Sequence, residues 1–145
     1  MSAMTQIPAI ESNHYQVEIS PASRKQMWTG RALSGLVSAF FLMDGGMKLV
    51  KPAPVVQATL QLGYPASLIV GIGIVLLVCT ILYLIPRTAV FGAILLTGYL
   101  GGAVATNVRV SAPLFNILFP VFIGCVVWAG LCIRDRRLRS ILAWW

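Results

Sequence analysis

The segment at residues 66–85 is uncharged and apolar throughout and reads ASLIVGIGIVLLVCTILYLI. An apolar helix of about 20 residues crosses the hydrocarbon core of a bilayer, which is about 30 Å thick. A helix that is apolar on every face belongs in lipid or deep inside a large protein, and a chain of 145 residues offers no such interior. The segment therefore predicts a membrane-spanning helix.

Three further segments predict spanning helices, at residues 30–50, 88–108 and 114–133. Prolines or basic residues stand between these segments, and only Pro120 interrupts one of them, as a tolerated kink. The turn after residue 85 is so short that the second and third helices must be antiparallel neighbours. We predict an all-α, membrane-embedded antiparallel four-helix bundle at residues 28–145, after a flexible cytosolic tail at residues 1–27.

The charged residues indicate how the bundle is oriented. Only 10% of the residues are charged, against about 25% in soluble domains, and the net charge is +7. The basic residues lie in short clusters between apolar runs, which indicates membrane topology and not nucleic-acid binding. We predict a multi-pass protein of the inner (cytoplasmic) membrane with both termini in the cytoplasm. The cytoplasmic side would hold Arg24, Lys25, Arg31, Arg87, Arg134, Arg136, Arg137 and Arg139, and the outer side Lys48, Lys51 and Arg109.

The segment between the first two spans, from Pro54 to Pro65, is too short to cross the membrane. Its apolar residues share one helical face, and Gly63 follows as a stop signal. This pattern predicts a short interfacial helix over the outer mouth of the bundle. A plain loop is the alternative.

Small residues on the third span predict close helix packing, because apolar helices gain little by associating within lipid unless their backbones approach. Every fourth position is small, and a GxxxG pair lies on an adjoining face. We predict internal packing, with the first span as partner, and a homodimer seam is the alternative. The predicted packing residues are Ala93, Thr97, Gly98, Gly101, Gly102 and Ala105.

Charged side chains inside a membrane helix are costly, so each one is a candidate functional residue. Asp44 would lie about 20 Å from the cytoplasmic entrance of the first span, with Lys48 one turn further along as an ion-pair partner. Asn107 and Arg109 end the third span near the same outer surface. We predict that these four residues form a ligand site for a carboxylate, an oxidised sulfur anion or a quinone carbonyl. Alternatively, the two cations lie at the interface and Asp44 only pins the first and third helices together.

The sequence indicates no resident cofactor and no metal site, and it does not identify catalytic residues. The predicted spans contain no histidine, and the three cysteines are not paired in a CxxC motif. Phosphate-binding and dinucleotide-binding glycine motifs are also missing. These observations disfavour a redox enzyme that works alone.

The run LYLIPRTAVFGAILLTGYLGGAVATNVRV at residues 82–110 resembles the DoxX-like family of small four-helix membrane proteins. The resemblance extends to WTGRALSGL at Trp28, DGGMKL at Asp44, LGYP at Leu62 and WAGLCIRDRRLR at Trp128. It implies the same four-helix fold for residues 28–145. Some relatives are expected to carry an acid near residues 75–77 and a histidine at the position of Asn107, and this chain has neither.

The family takes its name from a membrane subunit of a thiosulfate:quinone oxidoreductase. The resemblance therefore implies a quinone, an oxidised sulfur compound and a partner redox subunit as candidate partners, although a shared fold does not transfer a reaction. We favour a non-catalytic module that binds a lipid-like or small anionic ligand or a partner subunit. The alternative is a quinone-linked subunit of an oxidoreductase complex. A transporter is disfavoured, because one polar cluster at one end makes no pathway across the bundle.

Overall fold

The computed structural model describes residues 24–134, with side chains from Met27 onward. The predictions for residues 1–23, for the basic residues after Arg134 and hence for part of the orientation argument lie outside the described residues. The helices are α1 (Arg24–Val50), α2 (Ala53–Gln61), α3 (Ile69–Leu84), α4 (Ala89–Arg109) and α5 (Leu114–Arg134), and a short 3-10 turn at Ala66–Leu68 leads into α3.

Within residues 24–134, four helices are long and apolar enough to cross a membrane: α1, the 3-10 turn with α3, α4, and α5. They confirm the predicted all-α membrane fold, and their bounds differ from the predicted ones by one or a few residues. The largest difference is at α1, which begins at Arg24 and so takes in the last residues of the predicted tail. Helix α5 continues through Pro120, as expected where neighbouring helices replace the hydrogen bond that proline cannot donate.

The helices form a ring in which α1 packs against α3 and α5, and α4 packs against the same two helices. Helices α1 and α4 therefore lie diagonally opposite each other, and the prediction that they are packing partners is wrong. The small residues of α1 contact the other neighbours instead: a Cβ built on Gly45 would lie 2.8 Å from the Leu77 side chain of α3, and one built on Gly30 would lie 2.9 Å from the backbone of Arg134 in α5.

The bundle is closely packed at the end where α1 begins and α5 ends, which we call the terminal end. Gly92 brings α4 against α3, because a Cβ on Gly92 would overlap the Tyr83 backbone nitrogen. Gly130 brings α5 against α1, with the Ser34 Oγ 2.8 Å from the position of a Cβ. In lipid this close backbone approach supplies the dispersion energy that holds apolar helices together.

Tyr83 joins three helices at the terminal end. Its fully buried hydroxyl donates to the Val127 carbonyl of α5 at 2.9 Å and accepts from the Ser34 Oγ of α1 at 3.0 Å. A polar side chain in an apolar interior is costly unless its hydrogen bonds are made. These bonds therefore define how α3 sits relative to α1 and α5.

Replacing Tyr83 by Phe should lower the free energy of unfolding by about 1–2 kcal/mol, because the Ser34 hydroxyl is left buried without its partner. Unfolding in mixed detergent micelles measures this. The matched control is Tyr99→Phe, since the Tyr99 hydroxyl makes no hydrogen bond within residues 27–134. Equal stability of the two variants would contradict the role given to Tyr83.

The opposite end of the bundle, which we call the α2 end, carries the short helix predicted between the first two spans. Helix α2 begins after Pro52 and ends before Gly63, whose φ of +81° is a backbone conformation that glycine adopts at little cost. Thr59 on α2 is buried and donates to the Val55 carbonyl at 2.8 Å. The prediction of a short helix is therefore confirmed, and the plain loop is excluded.

Candidate functional site

A cavity of about 470 Å³ occupies the α2 end of the bundle. Its wall is formed by the last turns of α1 and α4, by the first turns of α5, by Ile72 of α3, and by Thr59, Leu62 and Tyr64 in or after α2. Pockets of this size, mostly apolar with a few polar groups, are typical of small-molecule sites. At this end α1 and α3 remain in close contact through Gly45 and Gly73, and the cavity lies between this pair and helices α4 and α5.

Asp44 and Lys48 lie one turn apart on α1 and both face the cavity. The Lys48 Nζ donates to the Asp44 Oδ2 at 2.5 Å, which is the ion pair predicted from their spacing. The exposed fractions of the two side chains are 17% for Lys48 and 33% for Asp44. The Lys48 Cβ packs on Gly73 of α3, 2.8 Å from where a Cβ would stand. The pair thus brings compensated charge into an otherwise apolar wall.

Asn107 also lines the cavity, and its Nδ2 donates to the Ala103 carbonyl one turn earlier, at 2.9 Å. Its side-chain oxygen forms no hydrogen bond with any residue in the described part of the chain. Asp44, Lys48 and Asn107 therefore line one and the same cavity.

Arg109, the fourth predicted site residue, is not part of the cavity wall. Its Nη2 donates to the Leu62 carbonyl at 2.9 Å, and its guanidinium lies over the Tyr64 ring, 5.8 Å from the centroid. Arg109 thus fastens the segment after α2 to the end of α4. The net charge of Asp44, Lys48 and Arg109 is +1. Only Asp44 and Lys48 line the cavity, and their charges cancel.

The sequence analysis did not single out Tyr99 and the aromatic side chains of the cavity. Tyr99 lines the cavity, and its hydroxyl forms no hydrogen bond in the described part of the chain. Phe40 of α1 and Phe119 of α5 pack edge to face with their centroids 5.9 Å apart. An apolar sequence gives no signal that separates an aromatic ring facing a cavity from one facing lipid.

The predicted packing residues of α4 lie on different faces. Ala93 is fully buried, and the Thr97 Oγ1 accepts a hydrogen bond from the Trp128 Nε1 of α5 at 2.9 Å. Ala105 is exposed.

The glycines of α4 differ in what surrounds them. A Cβ built on Gly98, Gly101 or Gly102 would meet no described atom within 4 Å. Gly101 lines a shallow groove between α4 and α5, whereas Gly98 and Gly102 line the cavity. The close approach of α4 to α3 is made by Gly92.

Across residues 24–134, no group of three or more His, Cys, Asp or Glu side chains is placed to hold a metal ion. The three cysteines, all within this range, are free thiols.

A ring of apolar helices with a charged pair inside it defines a small multi-pass membrane protein. The family model described as the DoxX-like family matches residues 32–130, which include α2, α3 and α4, most of α1 and α5, and every residue that lines the cavity. The chain belongs to the DoxX-like family. Comparisons with curated proteins and with solved structures gave no match.

Proposed function

We propose that this protein is a non-catalytic membrane module that binds a lipid-like molecule by an uncharged carbonyl or hydroxyl head group. The cavity at the α2 end carries the proposal, because its mostly apolar wall also contains a few polar side chains. Lys48 and Tyr99 offer donors, and Asp44 and the Asn107 side-chain oxygen offer acceptors. A head group with a carbonyl or a hydroxyl satisfies these groups, and an apolar chain fits the rest of the wall.

The charge of the cavity favours an uncharged head group over an anion. Lys48 is already paired with Asp44 at 2.5 Å, and Arg109 is held outside by Leu62 and Tyr64. An anion would therefore enter a neutral site beside a carboxylate, in surroundings where uncompensated charge is costly. A carbonyl oxygen accepts from Lys48 without that cost.

A quinone-linked subunit of an oxidoreductase complex is the second candidate. Phe40, Tyr99 and Phe119 line the same cavity, and aromatic rings stack well on a quinone ring. In this case the protein would hold the quinone while a partner subunit supplied the electrons. Quinone reduction by the assembled complex that depends on this chain would favour this candidate over a binding module alone.

We further propose that the protein lies in the inner (cytoplasmic) membrane with both termini in the cytoplasm, which would place the cavity at the outer leaflet. The support comes from the basic residues. Within residues 24–134, five lie towards the terminal end (Arg24, Lys25, Arg31, Arg87 and Arg134) and three towards the α2 end (Lys48, Lys51 and Arg109). The side with more basic residues is the cytoplasmic side by the positive-inside rule.

The head-group preference can be tested with three probes that share one alkyl chain and carry an alcohol, a benzoquinone or a carboxylate. The wild-type protein in nanodiscs should bind the alcohol and the quinone at least tenfold more tightly than the carboxylate. The Asp44→Asn variant leaves Lys48 uncompensated, so its preference should shift towards the carboxylate by about tenfold or more.

The matched control is Arg109→Gln, which removes a charge of the same end but outside the cavity. Its preference among the three probes should equal that of the wild type. If the wild-type protein binds none of the probes, or if Asp44→Asn leaves the order of affinities unchanged, the proposed site is wrong.

A further inference from the structure

We infer that the cavity is loaded sideways from the bilayer, through an opening beside Gly98 and Gly102 of α4, and that the ligand is a long-chain amphiphile whose tail stays in lipid. The inference rests on the proposed function and adds the route and the ligand class. Its basis is the position of two glycines that belong both to the cavity wall and to the outer surface of the bundle.

Gly98 and Gly102 lie one turn apart on α4, and both are exposed. A Cβ built on either would meet no described atom within 4 Å, so no neighbouring helix covers this stretch of α4. Ile72 of α3 belongs to the same cavity wall. Helices α3 and α4 are in close contact at the terminal end through Gly92 and Tyr83. Towards the α2 end, the cavity therefore reaches the lipid-facing surface beside the two glycines.

The route from water is closed by the segment that contains α2. Thr59 and Leu62 form part of the cavity wall at this end. The Tyr64 hydroxyl is hydrogen-bonded to the Thr106 Oγ1 at 2.9 Å, and Arg109 holds the Leu62 carbonyl. Entry past this segment would require these bonds to break. Beside the glycines, a Cβ at either position would meet no described atom within 4 Å, so no side chain covers α4 there.

The size of the cavity agrees with a ligand that is only partly enclosed. A volume of about 470 Å³ suits a molecule of ordinary drug size and not a whole membrane lipid. A long chain must then continue beyond the cavity. A tail that leaves the cavity into lipid keeps its methylene groups out of water, whereas a tail that leaves it into water would expose them.

The test compares Gly98→Leu and Gly102→Leu with Gly101→Leu, a variant of the same helix that is equally exposed but faces away from the cavity. Binding of the alkylated benzoquinone is followed in nanodiscs at equilibrium and over time. Leucine at either portal position should slow association at least tenfold, and leucine at Gly101 should leave the rate unchanged. Arg109→Gln, which removes the hydrogen bond to the Leu62 carbonyl from outside the cavity, should also leave the rate unchanged.

Each result decides between routes. Unchanged association in Gly98→Leu and Gly102→Leu, or faster association in Arg109→Gln, would overturn the sideways route while the wild-type protein still binds the probe. A change of oligomeric state in the two portal variants without a change in rate would assign the glycines to a homodimer seam and also overturn the inference. Failure of the wild-type protein to bind the probe would instead refute the proposed function itself.

Discussion

Gly92→Ala is expected to destabilise the protein by about 3 kcal/mol, the upper part of the range for overpacked cores. The added methyl group would overlap the Tyr83 backbone nitrogen and lie 2.6 Å from its Cα. Both atoms belong to the backbone of α3, so no side-chain rotation relieves the overlap, and the α3–α4 hairpin has to open. The opening would also displace the Tyr83 hydroxyl from Ser34 and Val127.

The control is Gly98→Ala, which adds the same methyl group to the same helix at a position with free space around it. Alanine forms helix more readily than glycine, so this variant should be as stable as the wild type or slightly more stable. Thermal unfolding in detergent, followed by circular dichroism, compares the two. Equal unfolding temperatures would show that the close approach at Gly92 is not needed.

Gly92 packs closely against α3 whereas Gly98 has free space around it, and this difference shows which part of the fold the sequence could predict and which it could not. The length of an apolar segment and the charges that flank it predict a spanning helix, because the thickness and the charge of the bilayer alone set both requirements. The pairing of helices depends on which face of each helix meets which neighbour, and the small residues of α4 occur on several faces. GxxxG at Gly98 and Gly102 therefore suggested packing, whereas the described contact is made by Gly92.

The candidate site was predictable to a similar extent. The ion pair of Asp44 and Lys48 follows from a spacing of four residues on one helix, which is local information. The position of Arg109 depends on where the segment after α2 returns to the end of α4, which is not local. Its long side chain reaches Leu62 and Tyr64 instead of the cavity. Because Arg109 lies outside the cavity, the charged residues of the site sum to zero and not to +1, and the expected ligand has an uncharged head group and not an anionic one.

The two ends of the bundle differ in a way that links packing to function. At the terminal end, Gly30, Gly92 and Gly130 allow backbone contact, and the polar groups of Ser34 and Tyr83 satisfy each other. Polar groups at the α2 end instead face an open space. Helices in lipid gain most of their stability from close contact. The terminal end, together with the α1–α3 contact at Gly45 and Gly73, therefore supports the fold and allows the cavity to remain open.

Lys48→Met is expected to be the most damaging single change in the cavity. It leaves the Asp44 carboxylate without its partner at a depth of about 10 Å below the membrane surface, and an unpaired charge inside a membrane helix costs about 2.5–3.5 kcal/mol at the bilayer centre. Because the Asp44 side chain is 33% exposed, we expect a smaller loss of unfolding free energy, about 2 kcal/mol. Lys51→Met, which removes an exposed lysine outside the cavity, should change stability by less than about 0.5 kcal/mol.

The double variant Asp44→Asn, Lys48→Met separates the structural role of the pair from its role in binding. Removing both charges together leaves no uncompensated group, so its stability should return to within about 1 kcal/mol of the wild type. Binding of the uncharged probes should nevertheless fall by tenfold or more, because the ammonium donor that holds the carbonyl oxygen is gone. A double variant that is stable and still binds the probes would show that the pair only supports α1, whereas one that is stable and no longer binds them would assign the pair to the ligand.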